Sequence, residues 1–249
     1  MSLIDKVAVV TGGASGIGRS ICLRLARDGA AIAVLDLNRT GAQQVAQEVE
    51  QVGRPAVAIE ADVSNAANVA AAVAAVHRDL GTVHILVNDA GICEYAPFLG
   101  MDEARWDRMI AVHVKGAFHC SRAVIPDMQA AKWGRIVNLS SVAGLNGGGP
   151  GLVHYATAKA ALIGFTKSLA SEVGPLGITV NVIAPGLVDT PMVRAAKVPE
   201  AIIQRLANEA PMRRVGVPDD IAAACAYLVS ADASFLTGQV ISPNGGSYL

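Results

Sequence analysis

The stretch Thr11-Gly12-Gly13-Ala14-Ser15-Gly16-Ile17-Gly18 decides the reading of this 249-residue chain. It follows an apolar run at 7–10 and opens onto an amphipathic segment at 17–27, so it predicts a turn from a buried strand into a helix. Glycines there permit a tight turn and a close backbone approach, and the helix N-terminus offers unpaired N–H groups to a pyrophosphate. The spacing is GxxxGxG rather than the more frequent GxGxxG. A second apolar run at 30–35 ends in Asp36, eighteen residues after Gly18, where a carboxylate can accept hydrogen bonds from an adenosine ribose.

Farther along lies Tyr155-Ala156-Thr157-Ala158-Lys159, fourteen residues after Ser141. Residues four apart on a helix share a face, so the phenol and the ammonium can share one site. By itself this pair is an ordinary helix surface; the glycine turn and Ser141 change its meaning. A free tyrosine titrates near pH ~10, so proton transfer near neutrality requires lowering it by roughly three units, about 4 kcal/mol. One cation about 4 Å away at an effective dielectric near 20 supplies about that much. Lys159 is therefore expected to lower the phenol, with an oxidised nicotinamide adding a second positive charge.

These pieces, in this order, resemble the short-chain dehydrogenase/reductase family over essentially the whole chain. The resemblance rests on TGGASGIG at 11–18, Asp62-Val63 after a third strand, Asn88-Asp89-Ala90-Gly91 after a fourth and Asn138-Leu139-Ser140-Ser141 after a fifth. It continues through Tyr155 and Lys159, Pro185-Gly186 with Thr190, and Thr237-Gly238-Gln239. It implies NAD as cofactor, held by Gly12, Ser15, Gly16, Ile17 and Gly18, by Asp36 and Leu37, and by Asp62 and Val63 around the adenine. Asn88, Ala90, Gly91, Tyr155, Lys159, Pro185, Gly186, Val188 and Thr190 complete that set. Asp89 stands where the family most often has asparagine.

The family also assigns chemical roles. Ser141, placed by the SxxG spacing to Gly144 in preference to Ser140, steadies the substrate oxygen; Tyr155 passes the proton; Lys159 lowers the tyrosine and holds ribose hydroxyls. The fourth position, usually an asparagine in NxxG, reads His113-Val114-Lys115-Gly116 here. His113 is read as a structural replacement, against the alternative that its imidazole joins the proton relay. His77, His84 and His119 are read as helix or strand residues, and His154 as a wall of the pocket beside Tyr155.

Composition bounds the rest. Alternating strand and helix patterns predict a single Rossmann-type doubly wound α/β domain over 1–249, with helices on both faces of a seven-stranded parallel sheet. Strands are expected at 7–11, 31–36, 56–60, 83–88, 135–140, 178–183 and 238–242. A helix is expected at 65–80 with Ser64 as its cap, and a substrate lid near 190–211. A net charge of −1 carries no electrostatic footprint for nucleic acid or an anionic membrane. Cys22, Cys93, Cys120 and Cys225 form no metal-ligand or CxxC spacing and suit a reducing, cytoplasmic compartment. Residues 1–6 lack the regions of a signal peptide, and no segment reads as membrane-spanning.

Together these readings predict an oxidoreductase that interconverts a secondary alcohol and a ketone, and the family resemblance implies a tetramer formed through helices at 102–130 and 153–173. The expected substrate wall includes Ser141, Val142, Leu145, Leu152, Tyr155, Leu187 and Met192, with Ile92, Glu94, Tyr95 and Val193 around it. Its apolar character favours a small or medium cyclic, aryl or alkyl alcohol. The alternatives are a reductase of 3-oxoacyl or hydroxysteroid substrates and a noncatalytic NAD-binding scaffold. An enoyl-reductase relative would space its tyrosine and lysine more widely, and an epimerase relative would carry TGxxGxxG.

Overall fold

In the computed structural model, which describes residues 2–195 and 199–249, the apolar runs become parallel strands. The strands are β1 (Val7–Thr11), β2 (Ala31–Asp36), β3 (Ala56–Glu60), β4 (Ile85–Asn88), β5 (Gly134–Leu139), β6 (Ile178–Ile183) and β7 (Val240–Ile241). They form one seven-stranded sheet in the order β3-β2-β1-β4-β5-β6-β7, every pair parallel. Every residue of β1, β4, β5 and β6 is buried, because both faces are covered.

Helices α1 (Gly16–Arg27), α2 (Arg39–Gln51) and α10 (Pro218–Val229) pack Ile21, Leu25, Val45 and Ile221 onto one face, over Val10, Ile32 and Val137. The other face carries α3 (Ala66–Asp79), α5 (Gly116–Ala131) and α7 (Val153–Val173), whose Val73, Val124 and Ala170 meet Val9, Leu86 and Ile136. The remaining helices are α4 (Glu103–Ile110), α6 (Ala143–Asn146), α8 (Pro191–Ala195) and α9 (Glu200–Glu209). Strand order reverses between β1 and β4, so the crevice beyond their carboxyl ends is where such a sheet binds ligands.

Three expectations shift. β4 begins two residues later than 83, because Val83 N–H donates to Asp127 instead of to a strand. The last strand is reduced to two residues, preceded by Gly238 at a φ of 70°. Asn65, not Ser64, caps α3: its Oδ1 accepts from Ala67 N at 2.9 Å and Asn68 N at 3.1 Å. The Ser64 hydroxyl is drawn back to Asp62 at 2.7 Å. Of the expected lid, α8 and α9 are formed, and 196–198 lie outside the described residues. No helix among the described residues is long and apolar enough to cross a membrane.

An amide ladder fixes the centre of the sheet. Asn88 Nδ2 donates to Asn138 Oδ1 at 2.8 Å, and Asn138 Nδ2 donates to Thr166 on α7 at 2.9 Å. Both asparagines are buried, so these partners stand in for water at the amide groups they reach, while Asn88 Oδ1 has none. Asn138→Ala should leave the Asn88 amide without its acceptor and Thr166 without its donor, lowering unfolding free energy by about 3 kcal/mol. Urea melts with an unchanged slope and a lower midpoint are the expected reading.

Candidate active site

The reversal of strand order opens a cleft made of two adjoining cavities. The first, about 400 Å³, is lined by Gly12, Asp36, Leu37, Asp62, Val63, Ala90, Gly91 and Ile92, with Arg108 at its edge. The second, about 590 Å³, shares Gly12, Asp36 and Gly91 with it and reaches Ser141, Tyr155 and Lys159. Ser15, Gly16 and Ile17 open the helix side of this second cavity; Pro185, Gly186, Val188 and Thr190 form the far side.

The glycine turn is built for close contact. Gly12 and Gly16 hold φ values of 69° and 54°, and a Cβ on Gly12 would lie 2.9 Å from the Ala90 backbone. Gly18 lies behind the turn rather than on the cleft: a Cβ there would overlap Gly12 O and lie 2.8 Å from Asp89 Oδ2. The Asp36 carboxylate is pinned to the turn, accepting from Ala14 N at 3.0 Å and Asn38 N at 2.8 Å. Leu37 beside it is 66% exposed and uncharged.

At the other end, α7 is fastened to β5. Lys159 Nζ donates to Leu139 O at 2.7 Å, and Ser140 Oγ donates to Lys159 O at 2.7 Å. The Ser140 hydroxyl is therefore occupied inside the core, whereas Ser141 accepts from Ala143 N at 3.1 Å and lines the cavity together with Tyr155. Gly144 permits this: a Cβ there would lie 2.8 Å from Ser140 Oγ and 2.7 Å from the Lys159 carbonyl carbon.

The electrostatics correct one expectation. With the protein's own groups alone the phenol is raised rather than lowered. Burial pushes Tyr155 above its ordinary value, the Cys93 thiol adds to the rise, and the Ser141 hydrogen bond offsets only part of it. The ammonium is directed at Leu139 O and sits 5.6 Å from the phenol ring centre. Burial holds Lys159 itself below its usual range, opposed by the charge of Asp89.

His113 is only 3% exposed and lies in a π-helical turn, Ala111–Lys115, between α4 and α5. Its ring stands edge-on to Tyr155 with centres 5.8 Å apart. Nε2 is 2.8 Å from Ile92 O and 3.1 Å from Ile92 N; one nitrogen serves only one of them, and the shorter contact assigns it a proton. Nδ1 has no partner. Burial, reinforced by Lys159, pushes the imidazole down to about 3. The ring fits because residue 91 is glycine: a Cβ there would overlap His113 Cε1.

Several expected residues fall elsewhere. Asn88 does not line the cleft; its amide is spent on the ladder to Asn138. Leu145 on α6 is absent from the cavity wall, and Glu94 pairs with Arg105 instead of facing it. His154 is fully buried with neither ring nitrogen paired, so it is not a pocket wall. Val142, Leu152, Leu187, Met192 and Val193 do line the cavity, joined by Tyr95. Cys93 and Asp89, on a loop, and Asn146 and Leu206, on α6 and α9, were not singled out as wall residues, since tertiary contacts of this kind leave no periodic signal in a sequence. His77 pairs with Asp127, His119 with Val63 O, and His84 accepts from Val7 N. Among the described residues no cluster of acidic, histidine and cysteine side chains could hold a metal.

Because the folded state keeps His113 neutral while an unfolded imidazole charges below pH ~6.5, the unfolded state binds the extra proton between that value and about 3. Stability from this residue is complete above pH ~6.5 and is lost as pH falls, by roughly 2 kcal/mol between pH 6.5 and 5. His113→Asn should remove that component, so the gap between urea midpoints at pH 7 and 5 narrows. The turnover profile between pH 6 and 7 should not change on the same substitution; an inflection that vanishes with it would contradict the structural role.

Three comparisons bear on this geometry. A family model described as enoyl-(acyl carrier protein) reductase matches residues 12–247. Nodulation protein G of Azospirillum brasilense is 43% identical over 243 residues, covering 97% of this chain and 98% of that protein. The 3-oxoacyl-[acyl-carrier-protein] reductase FabG of Pseudomonas aeruginosa is 39% identical over 249 residues, with both chains covered completely. A crystal structure of NAD+-bound xylitol dehydrogenase superposes with a TM-score of 0.92 at 33% identity, covering 97% of this chain and 98% of that one. The chain, with its parallel sheet and the Ser141, Tyr155 and Lys159 cleft, belongs to the short-chain dehydrogenase/reductase family of oxidoreductases.

Proposed function

We propose that this protein interconverts a secondary alcohol and a ketone with NAD(H), using Tyr155 as the acid and base. The observation that carries the reading is the convergence of Ser141, Tyr155 and Lys159 in one cavity with the Asp36-anchored glycine turn. The residues present fit the cofactor: side-chain-free backbone at Gly12 and Gly16, a fixed carboxylate at Asp36, and an adjoining cavity of about 400 Å³ by Asp62 and Val63. The nicotinamide, when bound, supplies the hydride exchange and a positive charge in its oxidised form.

The protein's own groups handle the proton. Ser141, in the same cavity as Tyr155, holds the substrate oxygen. Tyr155 gives its proton to that oxygen in reduction and takes it back in oxidation. Burial alone leaves the phenol too basic, so the charges of Lys159 and of oxidised nicotinamide act together to bring it into range. Lys159, anchored on Leu139 O, holds ribose hydroxyls in this proposal.

The wall beyond Tyr155, with Leu152, Leu187, Met192 and Val193, is largely apolar and favours an uncharged cyclic, aryl or alkyl alcohol. A 3-oxoacyl thioester is the second reading, favoured by the similarity to the Pseudomonas aeruginosa reductase. The α8–α9 segment acts as a lid in this proposal, since Met192, Val193 and Leu206 border the cavity. A homotetramer through 102–130 and 153–173 is supported by the exposed Phe118 on α5 and Val153 on α7. The cytoplasm is the proposed compartment, supported by four cysteines that are all unpaired. We propose no nucleic-acid or membrane partner.

Assays with NAD against a panel of secondary alcohols, and with NADH against ketones and 3-oxoacyl thioesters, separate the two readings. Tyr155→Phe should reduce turnover below a tenth of wild type while NAD affinity stays within about threefold, because only the proton-transfer group is deleted. Lys159→Ala should damage both. A phenylalanine variant that retains activity would remove Tyr155 from the role.

Cofactor choice follows from charge. The Asp36 carboxylate can pair with the 2′ and 3′ hydroxyls of NAD and would repel a 2′-phosphate, while Leu37 supplies no cation. NAD should give the higher kcat/KM by at least about tenfold, with Arg39 softening the exclusion. Asp36→Ala should narrow the gap. Equal efficiency with NADP in the wild type would sink the assignment.

A further inference from the structure

The short helix α6 is joined by hydrogen bonds to the serine of the cleft. Ser141 Oγ accepts the N–H of Ala143 at 3.1 Å, Asn146 N donates to Val142 O at 2.9 Å, and Gly147 N donates to Ala143 O at 3.0 Å. Ser141 and Asn146 therefore belong to one bonded unit. Val142 and Asn146, four residues apart, fall on one side of it and both line the larger cavity, whereas Leu145 does not. The loop that follows is tied down at its far end, where Ala96 N donates to Gly151 O at 3.0 Å.

The Asn146 amide is pinned in one orientation. Its Oδ1 accepts from Gly148 N at 2.8 Å. Turning the amide over would set its NH2 group against that N–H, donor facing donor, so chemistry assigns the oxygen and the nitrogen. With Oδ1 spent on the turn, the side chain has only Nδ2 left to offer, and Nδ2 has no partner among the described residues. At this border of the cavity Asn146 is a donor and not an acceptor.

Charge is scarce around it. Among the described residues Lys159 is the one lysine or arginine lining the cavity, and its ammonium is engaged by Leu139 O at the reacting end. Arg194, beside Val193, is paired with Asp189 at 2.8 Å, and Arg105 is paired with Glu94, beside Tyr95, at 3.3 Å. Leu152, Leu187, Met192, Val193 and Leu206 make the rest of this end apolar. One neutral donor in an apolar wall reads one feature of a ligand.

We propose that the substrate carries a second, uncharged oxygen a few carbon atoms from its reacting carbon, and that Asn146 Nδ2 donates a hydrogen bond to it. The inference rests on the reading that this cavity interconverts an alcohol and a ketone. One helical turn, about 5.4 Å of rise, separates Asn146 from Val142, the neighbour of Ser141, and that sets the spacing of the two oxygens. An ether, hydroxyl or carbonyl oxygen meets the requirement. An ammonium would bring donors to a donor, and a carboxylate would find no free counter-charge among the described residues that line the wall. Asn146 thus determines specificity and takes no part in the proton or hydride transfer.

Steady-state kinetics with NADH test this on wild type, Asn146→Asp and Asn146→Leu, using 4-methoxycyclohexanone and 4-ethylcyclohexanone, which differ by an ether oxygen in place of a methylene. The methoxy-to-ethyl ratio of kcat/KM should fall about fivefold in each variant, the scale of one ordinary hydrogen bond at a border that water reaches. General damage to the cavity lowers both ketones together and cancels in the ratio. Asn146→Asp keeps an oxygen for Gly148 N and loses only the donor, so it decides alone if circular dichroism shows the leucine variant unfolded. A ratio that stays within about twofold of wild type would overturn the proposal and leave the alcohol–ketone reading standing. If the wild type reduces neither ketone the proposal falls as well, and the panel of secondary alcohols decides whether that reading falls with it.

Discussion

The cleft depends on how closely the ends of β1 and β4 approach. Thr11 Oγ1 receives the N–H groups of Asp89 and Ala90, both at 3.1 Å, so the loop after β4 is fastened to the loop after β1 by one hydroxyl. That approach leaves no room for side chains at Gly12, whose Cβ would press on Ala90, or at Gly18, whose Cβ would press on Gly12 O and Asp89. The glycines are thus required by packing within the protein as well as by any ligand. The two cavities exist because this seam is tight on the strand side and open on the side of Ser141 and Tyr155.

The opposite wall rests on a different principle. Asn88, Asn138 and Thr166 are linked by amide hydrogen bonds across two strands and a helix in a buried place, with Asn88 Oδ1 the one ladder oxygen left without a partner. Lys159 and Ser140 then make two bonds of opposite direction between α7 and β5, ammonium to Leu139 O and hydroxyl to Lys159 O. A long helix of modest amphipathicity is held in one vertical position by these bonds. The height of Tyr155 above the sheet follows from them, one helical turn away.

Much of this was legible in the sequence. Strands β1, β2 and β6 fall where their apolar runs predict, because a strand buried on both faces leaves an uninterrupted local signal; β3, at the sheet edge and only half-buried, also falls at its expected place. The glycine turn, Asp36, Ser141, Tyr155 and Lys159 also meet in one cleft, since their places are set by strand ends. What was not legible depends on tertiary neighbours. Ser64 lost the cap of α3 to Asn65 because Asp62 competed for its hydroxyl. Leu145 turned away and Asn146 faced the cavity, a difference of one position on a single helical turn. The raised phenol reflects its burial, which no spacing reveals.

The π-helical turn at Ala111–Lys115 has a consequence for the helix that follows it. Such a turn amounts to one residue added to an otherwise regular α-helix. Each residue advances a helix by about 100°, so removal of any one residue from this turn would swing α5 through more than a quarter circle. Cys120, Val124 and Met128 now point into the sheet, and that rotation would carry them toward water. The additional residue therefore sets the phase of α5: it lets a helix that begins by enclosing His113 end by sealing the core, two tasks that a uniform helix would place on different faces.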